Sequence, residues 1–135
     1  MTSTKTAIRN MLILDATYLS LMGSPSDTVK HTYYLRAPVK PTFPEVIFSI
    51  RPNITDQSFS KEFIVNVGTL LLEVWAKTND YETIVERIIY LLNHANGSAG
   101  FRAILSGEPA EMYNDDLNVY GLSLTFDLHM RRATI

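Results

Sequence analysis

Residues 70–92, LLLEVWAKTNDYETIVERIIYLL, narrow the possible folds more than any other stretch of the chain. An apolar strand, a polar turn and an amphipathic helix follow one another with no spare residue. Leu70, Leu72 and Val74 share one strand face, while Leu71 and Trp75 lie on the other. Both faces are thus substantially apolar, as expected of a strand covered on both sides or met on one side by a second subunit. Asn79 with Glu82 three residues later is a capping box. Beyond it, Ile84, Ile88, Leu91, Leu92 and Ala95 recur at helical spacing, and Glu82, Glu86, Arg87 and Asn93 point away. His94 and Gly97 mark the helix end.

The flanking segments extend this unit to a mixed fold. Residues 4–14 read as a helix with Ala7, Ile8, Met11 and Leu12 on one face. Residues 15–22 form a second helical turn, with Leu19 and Met22 inward and Gly23 as its stop. A turn at 23–27 and a β-prone stretch at 29–35 follow, and then a loop holding Pro38, Pro41 and Pro44. Residues 45–51 alternate, with Val46, Phe48 and Ile50 on one side. A polar connection covers 52–61. The long strand is expected over 63–76, bent or bulged at Gly68. Phe101 to Ser106 reads as a strand, 107–116 as an acidic loop, and 119–131 as a strand alternating for its whole length. On that last strand Tyr120, Leu122, Leu124, Phe126, Leu128 and Met130 are expected inward, and Val119, Gly121 and the other odd positions outward. The sum is one α+β domain over 1–135, a mostly antiparallel sheet with helices packed on one face.

At 135 residues the chain can bury roughly two-thirds of its unfolded surface. It has no cysteine, which excludes disulfides and thiolate metal sites. No stretch approaches the ~18 apolar residues of a membrane helix. The apolar run at Met11–Leu14 is too short for a signal peptide, so the expectation is a soluble protein made in the cytoplasm. Net charge is −2, which argues against a strong nucleic-acid footprint. The charge is uneven. Residues 1–61 hold seven Lys/Arg against four Asp/Glu, and residues 62–135 hold five against ten. This fits either halves that mix in space or complementary faces that meet in self-assembly.

The search for chemistry is largely negative. His31, His94 and His129 are scattered and form no metal-binding helix motif. His129 lies beside Asp127, a solvated neighbour or a pH-sensitive contact. There is no nucleophile elbow or P-loop, and Gly97-Ser98-Ala99-Gly100 precedes a strand instead of opening a helix. The loop with Glu108, Glu111, Asp115 and Asp116 has three readings: a solvated loop, a partner contact, or an ion site that lacks EF-hand spacing. Trp75 suits either packing against a helix or an interface.

In order along the chain, these segments resemble a known family. AIRNMLILDATYLSLMG (7–23), FPEVIFSIRP (43–52), LLLEVWAKTNDYETIVERIIYLLN (70–93) and NVYGLSLTFDLHMR (118–131) are similar to the successive elements of the tail terminator and tail-completion proteins of long-tailed, siphovirus-type phages. The likeness is one of element order and apolar pattern over nearly the whole chain. The stretch between Gly23 and Pro44 departs from it in its Tyr and Pro content.

The resemblance implies a virion protein at the head–tail interface, with no enzymatic activity and no cofactor. It implies a ring, commonly six-fold, that caps the tail tube, ends its polymerisation and meets the head-completion (stopper) protein. DNA passes the lumen without specific binding, and no membrane is involved. The candidate contact residues are Asp56, Lys61, Glu108, Glu111, Asp115, Asp116, Arg131 and Arg132. Rival expectations are another neck or tail part, such as a head-closure or tube protein, and a small-ligand-binding α+β domain.

Overall fold

The computed structural model describes residues 4–23, 30–36, 39, 42–52, 65–78, 81–93 and 101–131. Among these lie three helices, α1 (Thr4–Ile13), α2 (Ala16–Leu21) and α3 (Tyr81–Asn93). Six strands accompany them: β1 (Thr32–Tyr34), β2 (Glu45–Pro52), β3 (Val65–Ala76), β4 (Phe101–Leu105), β5 (Ala110–Asn114) and β6 (Val119–Arg131). They form one sheet in the order β1-β2-β3-β6-β4, with β5 also paired to β6. Only the β1–β2 pairing is parallel. The fold is α+β with a mostly antiparallel sheet, as the alternating strands imply.

The period-2 pattern of three strands builds the inner face. Register lines up Phe48, Leu72 and Leu124 in one row across β2, β3 and β6, and Val46, Val74 and Leu122 in another. Leu70 faces both Ile50 and Phe126. These rows and the helix residues Ile8, Leu12, Tyr18, Met22, Ile84, Ile88 and Leu92 form one buried cluster. The helices therefore lie on one side of the sheet, because their apolar stripes have only that face to cover them.

Polar bonds lock the helices to one another and to the sheet. Asp15 caps α2, accepting from the Tyr18 N–H at 2.8 Å. The same carboxylate takes a forked pair of bonds from Arg87 on α3, Nε at 2.9 Å and Nη2 at 2.7 Å. The guanidinium bonds, with the Tyr18 N–H, hold the Asp15 carboxyl below its ordinary value against the opposing effect of burial. Arg87 was expected to face solvent; its partner 72 residues away makes it half-buried instead. Tyr18, fully buried, shares a 2.8 Å hydroxyl bond with Thr32 of β1, and Thr32 donates to the Lys30 carbonyl. Burial raises the Tyr18 phenol far above its usual range.

Several expectations need correction. The pairing of β3 with β2 and β6 runs one-to-one past Gly68, so no bulge sits there. The β-prone stretch at 29–35 yields three strand residues, because Lys30, His31 and Leu35 take positive φ and turn the chain out of the sheet. The acidic loop is in part a strand: Ala110–Asn114 pairs with β6. Val119, expected outward, is buried, and Tyr120, expected inward, is exposed. The turn at 24–27, the connection at 53–61, Asn79 of the capping box, His94, Ala95 and the 97–100 segment lie outside the described residues.

Candidate interaction surface

Trp75 defines the side of the sheet away from the helices. In register, Glu45, Trp75, Gly121 and Met112 make one row across β2, β3, β6 and β5. A Cβ on Gly121 would stand 2.6 Å from Trp75 Cε3, so the indole lies flat across the glycine. Its Nε1 donates to Glu73 at 3.4 Å. Trp75 thus packs on its own sheet and not against a helix, and the space it needs is the reason for glycine at 121. Glu45 on the same row is buried, and its Oε2 has no hydrogen-bond partner among the described residues. Loss of solvation pushes its carboxyl up to about 7.

At the margin of the sheet, β4 and β5 both pair with the side of β6 that β3 leaves free. They form one interrupted edge. From Leu105 to Ala110 the edge takes five steps, while β6 takes three from Phe126 to Ser123. Two extra residues therefore bulge out after Ser106, whose N–H still bonds the Thr125 carbonyl at 2.8 Å. Gly107, with φ of 71°, makes the left-handed turn this requires.

The β5–β6 hairpin is closed by side chains. Asn114 Oδ1 accepts from the N–H groups of Asp116 and Leu117 at 3.0 and 3.2 Å. This asparagine turn lets Asn118 take positive φ. The rings of directly paired Tyr113 and Tyr120 touch at a tilt of 57°, with centroids 5.0 Å apart, and the Tyr113 hydroxyl donates to Asn118. Both tyrosines stay open, at 48% and 41% exposure, and Leu117 beside them is exposed too. Glu108 in the bulge, Glu111 on β5, and Asp115 and Asp116 in the turn are all exposed along this edge. Burial, with Glu111 and Glu82 close by, raises the Tyr81 phenol and ties the edge to the start of α3.

Four of the eight candidate contact residues, Glu108, Glu111, Asp115 and Asp116, therefore share one margin. Arg131 ends β6, its backbone opposite Val65. Asp56, Lys61 and Arg132 lie outside the described residues. Sequence reading missed the tyrosine pair, although the Asn-Asp-Asp-Leu-Asn turn between two aromatic residues was a hairpin signal. Among the described residues, no three of His, Asp or Glu converge where a metal ion could be held. No helix among them is long and apolar enough to cross a membrane.

No protein-family model matches the chain, and no curated protein sequence matches it. Among solved structures, it is similar to a chain from the virion of a native gene transfer agent particle. That likeness has a TM-score of 0.71 at 14% identity and covers 96% of each chain. The two chains share a fold over nearly their whole lengths.

Proposed function

We propose that this chain is a structural part of a phage-like virion, and within it the ring that ends the tail tube and joins tail to head. The observation that carries the reading is the fold held in common, end to end, with a virion chain. The order of elements in the sequence, like that of tail terminators, supports the finer role.

In this role the chain does mechanical work. Its partners are other copies of itself, six to a ring by the family resemblance, the tail tube protein below and the stopper protein above. The interior bound by α1, α2 and α3 keeps the subunit rigid, and the exposed margins make the contacts. Glu108, Glu111, Asp115 and Asp116, with Asp56, Lys61, Arg131 and Arg132, are the proposed contact residues. A chain with net charge of −2 suits a lumen that lets DNA pass, since it offers no surplus of cations to displace counterions.

Electron microscopy of particles assembled without this protein tests the role. Overlong tubes are the expected result. Tails of normal length that fail to join heads would reassign the chain to the neck, and unaltered particles would remove it from virion assembly.

A further inference from the structure

The sheet has two lateral margins, and they differ in charge. The β4–β5 margin carries one exposed cation, Arg102 on β4, but its β5 end exposes Glu108, Glu111, Asp115 and Asp116, with no basic residue from 107 to 118. The opposite margin is β1, and its surroundings are basic. Lys5 on α1 lies with Nζ 4.7 Å from the centroid of the Tyr34 ring, which places its ammonium at this margin. Arg36 is exposed two residues past the end of β1.

Each margin also carries open apolar surface. Tyr113, Tyr120 and Leu117 stand among the carboxylates. Leu35, 66% exposed, stands between β1 and Arg36, held outward by its φ of 75° and by its N–H bond to the Phe48 carbonyl. Apolar contact residues rimmed by charge of one sign are the composition of an interface patch. Here two such patches of opposite sign lie at opposite ends of one sheet.

From this we infer that the occupant of each margin is the opposite margin of a second copy of this chain. The acidic β5 hairpin of one copy docks on the basic β1 margin of the next. The contact is heterologous, because neither patch complements itself: acidic against acidic and basic against basic both repel. A heterologous contact repeats head to tail and closes into a ring when its rotation allows. This inference rests on the proposed ring for that closure, and names the surfaces that would form it.

The test uses two full-length variants. The first, Glu108→Lys, Glu111→Lys, Asp115→Lys and Asp116→Lys together, makes both margins basic. The second, Lys5→Glu with Arg36→Glu, makes both acidic. All six side chains are exposed, with Glu111 also bonded to Tyr81 and Lys5 set over the Tyr34 ring, so circular dichroism and melting are measured for each variant to show that it folds. Sedimentation velocity at low ionic strength reads self-association. The wild-type chain associates, and added salt weakens it. Each variant alone associates about tenfold or more weakly. An equimolar mixture recovers association, because every basic margin again finds an acidic one.

A wild-type chain that stays monomeric, a variant that associates like wild type, or a mixture no better than its components would each overturn the contact. None of these results bears on whether particles lacking the protein are defective. Conversely, normal particles with a restored mixture would sink the virion role and keep the contact.

Discussion

Phe126 and Tyr120 stand on the same strand, six residues apart and on the same side by alternation, yet Phe126 is completely buried and Tyr120 is 41% exposed. Alternation decides which face a side chain joins. What covers that face decides whether it is buried. Phe126 lies in the row where Leu70 and Leu105 flank it, inside the cluster closed by the helices. Tyr120 lies at the start of β6, beside Tyr113 on a hairpin that adds a strand and no second layer. The interior of the molecule supplies stability, and the hairpin margin supplies surface.

Substitutions can break this contrast. Phe126→Ala leaves a cavity in the closed cluster and is expected to cost about 3–5 kcal/mol, measured by urea denaturation. A cost near that of Tyr120→Ala would mean the two ends of β6 are packed alike. Gly121→Ala drives a methyl into the Trp75 ring and should cost about 1–3 kcal/mol, with a shift in tryptophan emission as the indole is displaced. Unchanged emission would show that the ring does not rest on Gly121.

Glu45 sharpens the contrast through pH. Its folded carboxyl stands at about 7 against an ordinary 4.5, so the folded chain binds the extra proton between these values. Its contribution is therefore greatest below pH 4.5, declines as pH rises towards 7, and is flat above. Glu45→Gln should flatten that slope and raise stability at pH 8 by no more than about 3 kcal/mol. Asp15 has the opposite sign. Its lowered pKa gives stability that is present above its ordinary 3.8 and lost as pH falls below it. Asp15→Ala, which removes both a cap and the Arg87 fork, is expected to cost about 1–2 kcal/mol at pH 7. At the small end, Tyr120→Ala should change stability by less than about 1 kcal/mol, in keeping with a residue whose ring is left open.

Much of the interior was legible in the sequence. The alternation from Val119 to Arg131 gave β6 its observed bounds, and the spacing of Ile84, Ile88 and Leu92 gave the buried stripe of α3. Both are local patterns, carried by periods of two and 3.6 residues. The failures are pairwise and distant. Nothing near Arg87 shows that it will meet Asp15, and nothing near Tyr18 shows that Thr32 will receive its hydroxyl. Gly121 looked like an outward position because its reason is an indole on another strand. The acidic residues stood out by charge alone, but their common margin depends on β5 pairing with β6 across a bulge. The basic margin was less legible still, since Lys5 and Arg36 are 31 positions apart and share a margin only because Lys5 lies over the Tyr34 ring of β1.

In its proposed role this chain works as a structural ring at the end of a tail tube. Size-exclusion chromatography with light scattering, on the protein alone and mixed with purified tail tubes, tests it most directly. The chain is expected to elute with the tubes at a fixed ratio corresponding to one closed ring per tube end, whatever the tube length. A chain that stays free of the tubes, or that binds in proportion to their length, would contradict it.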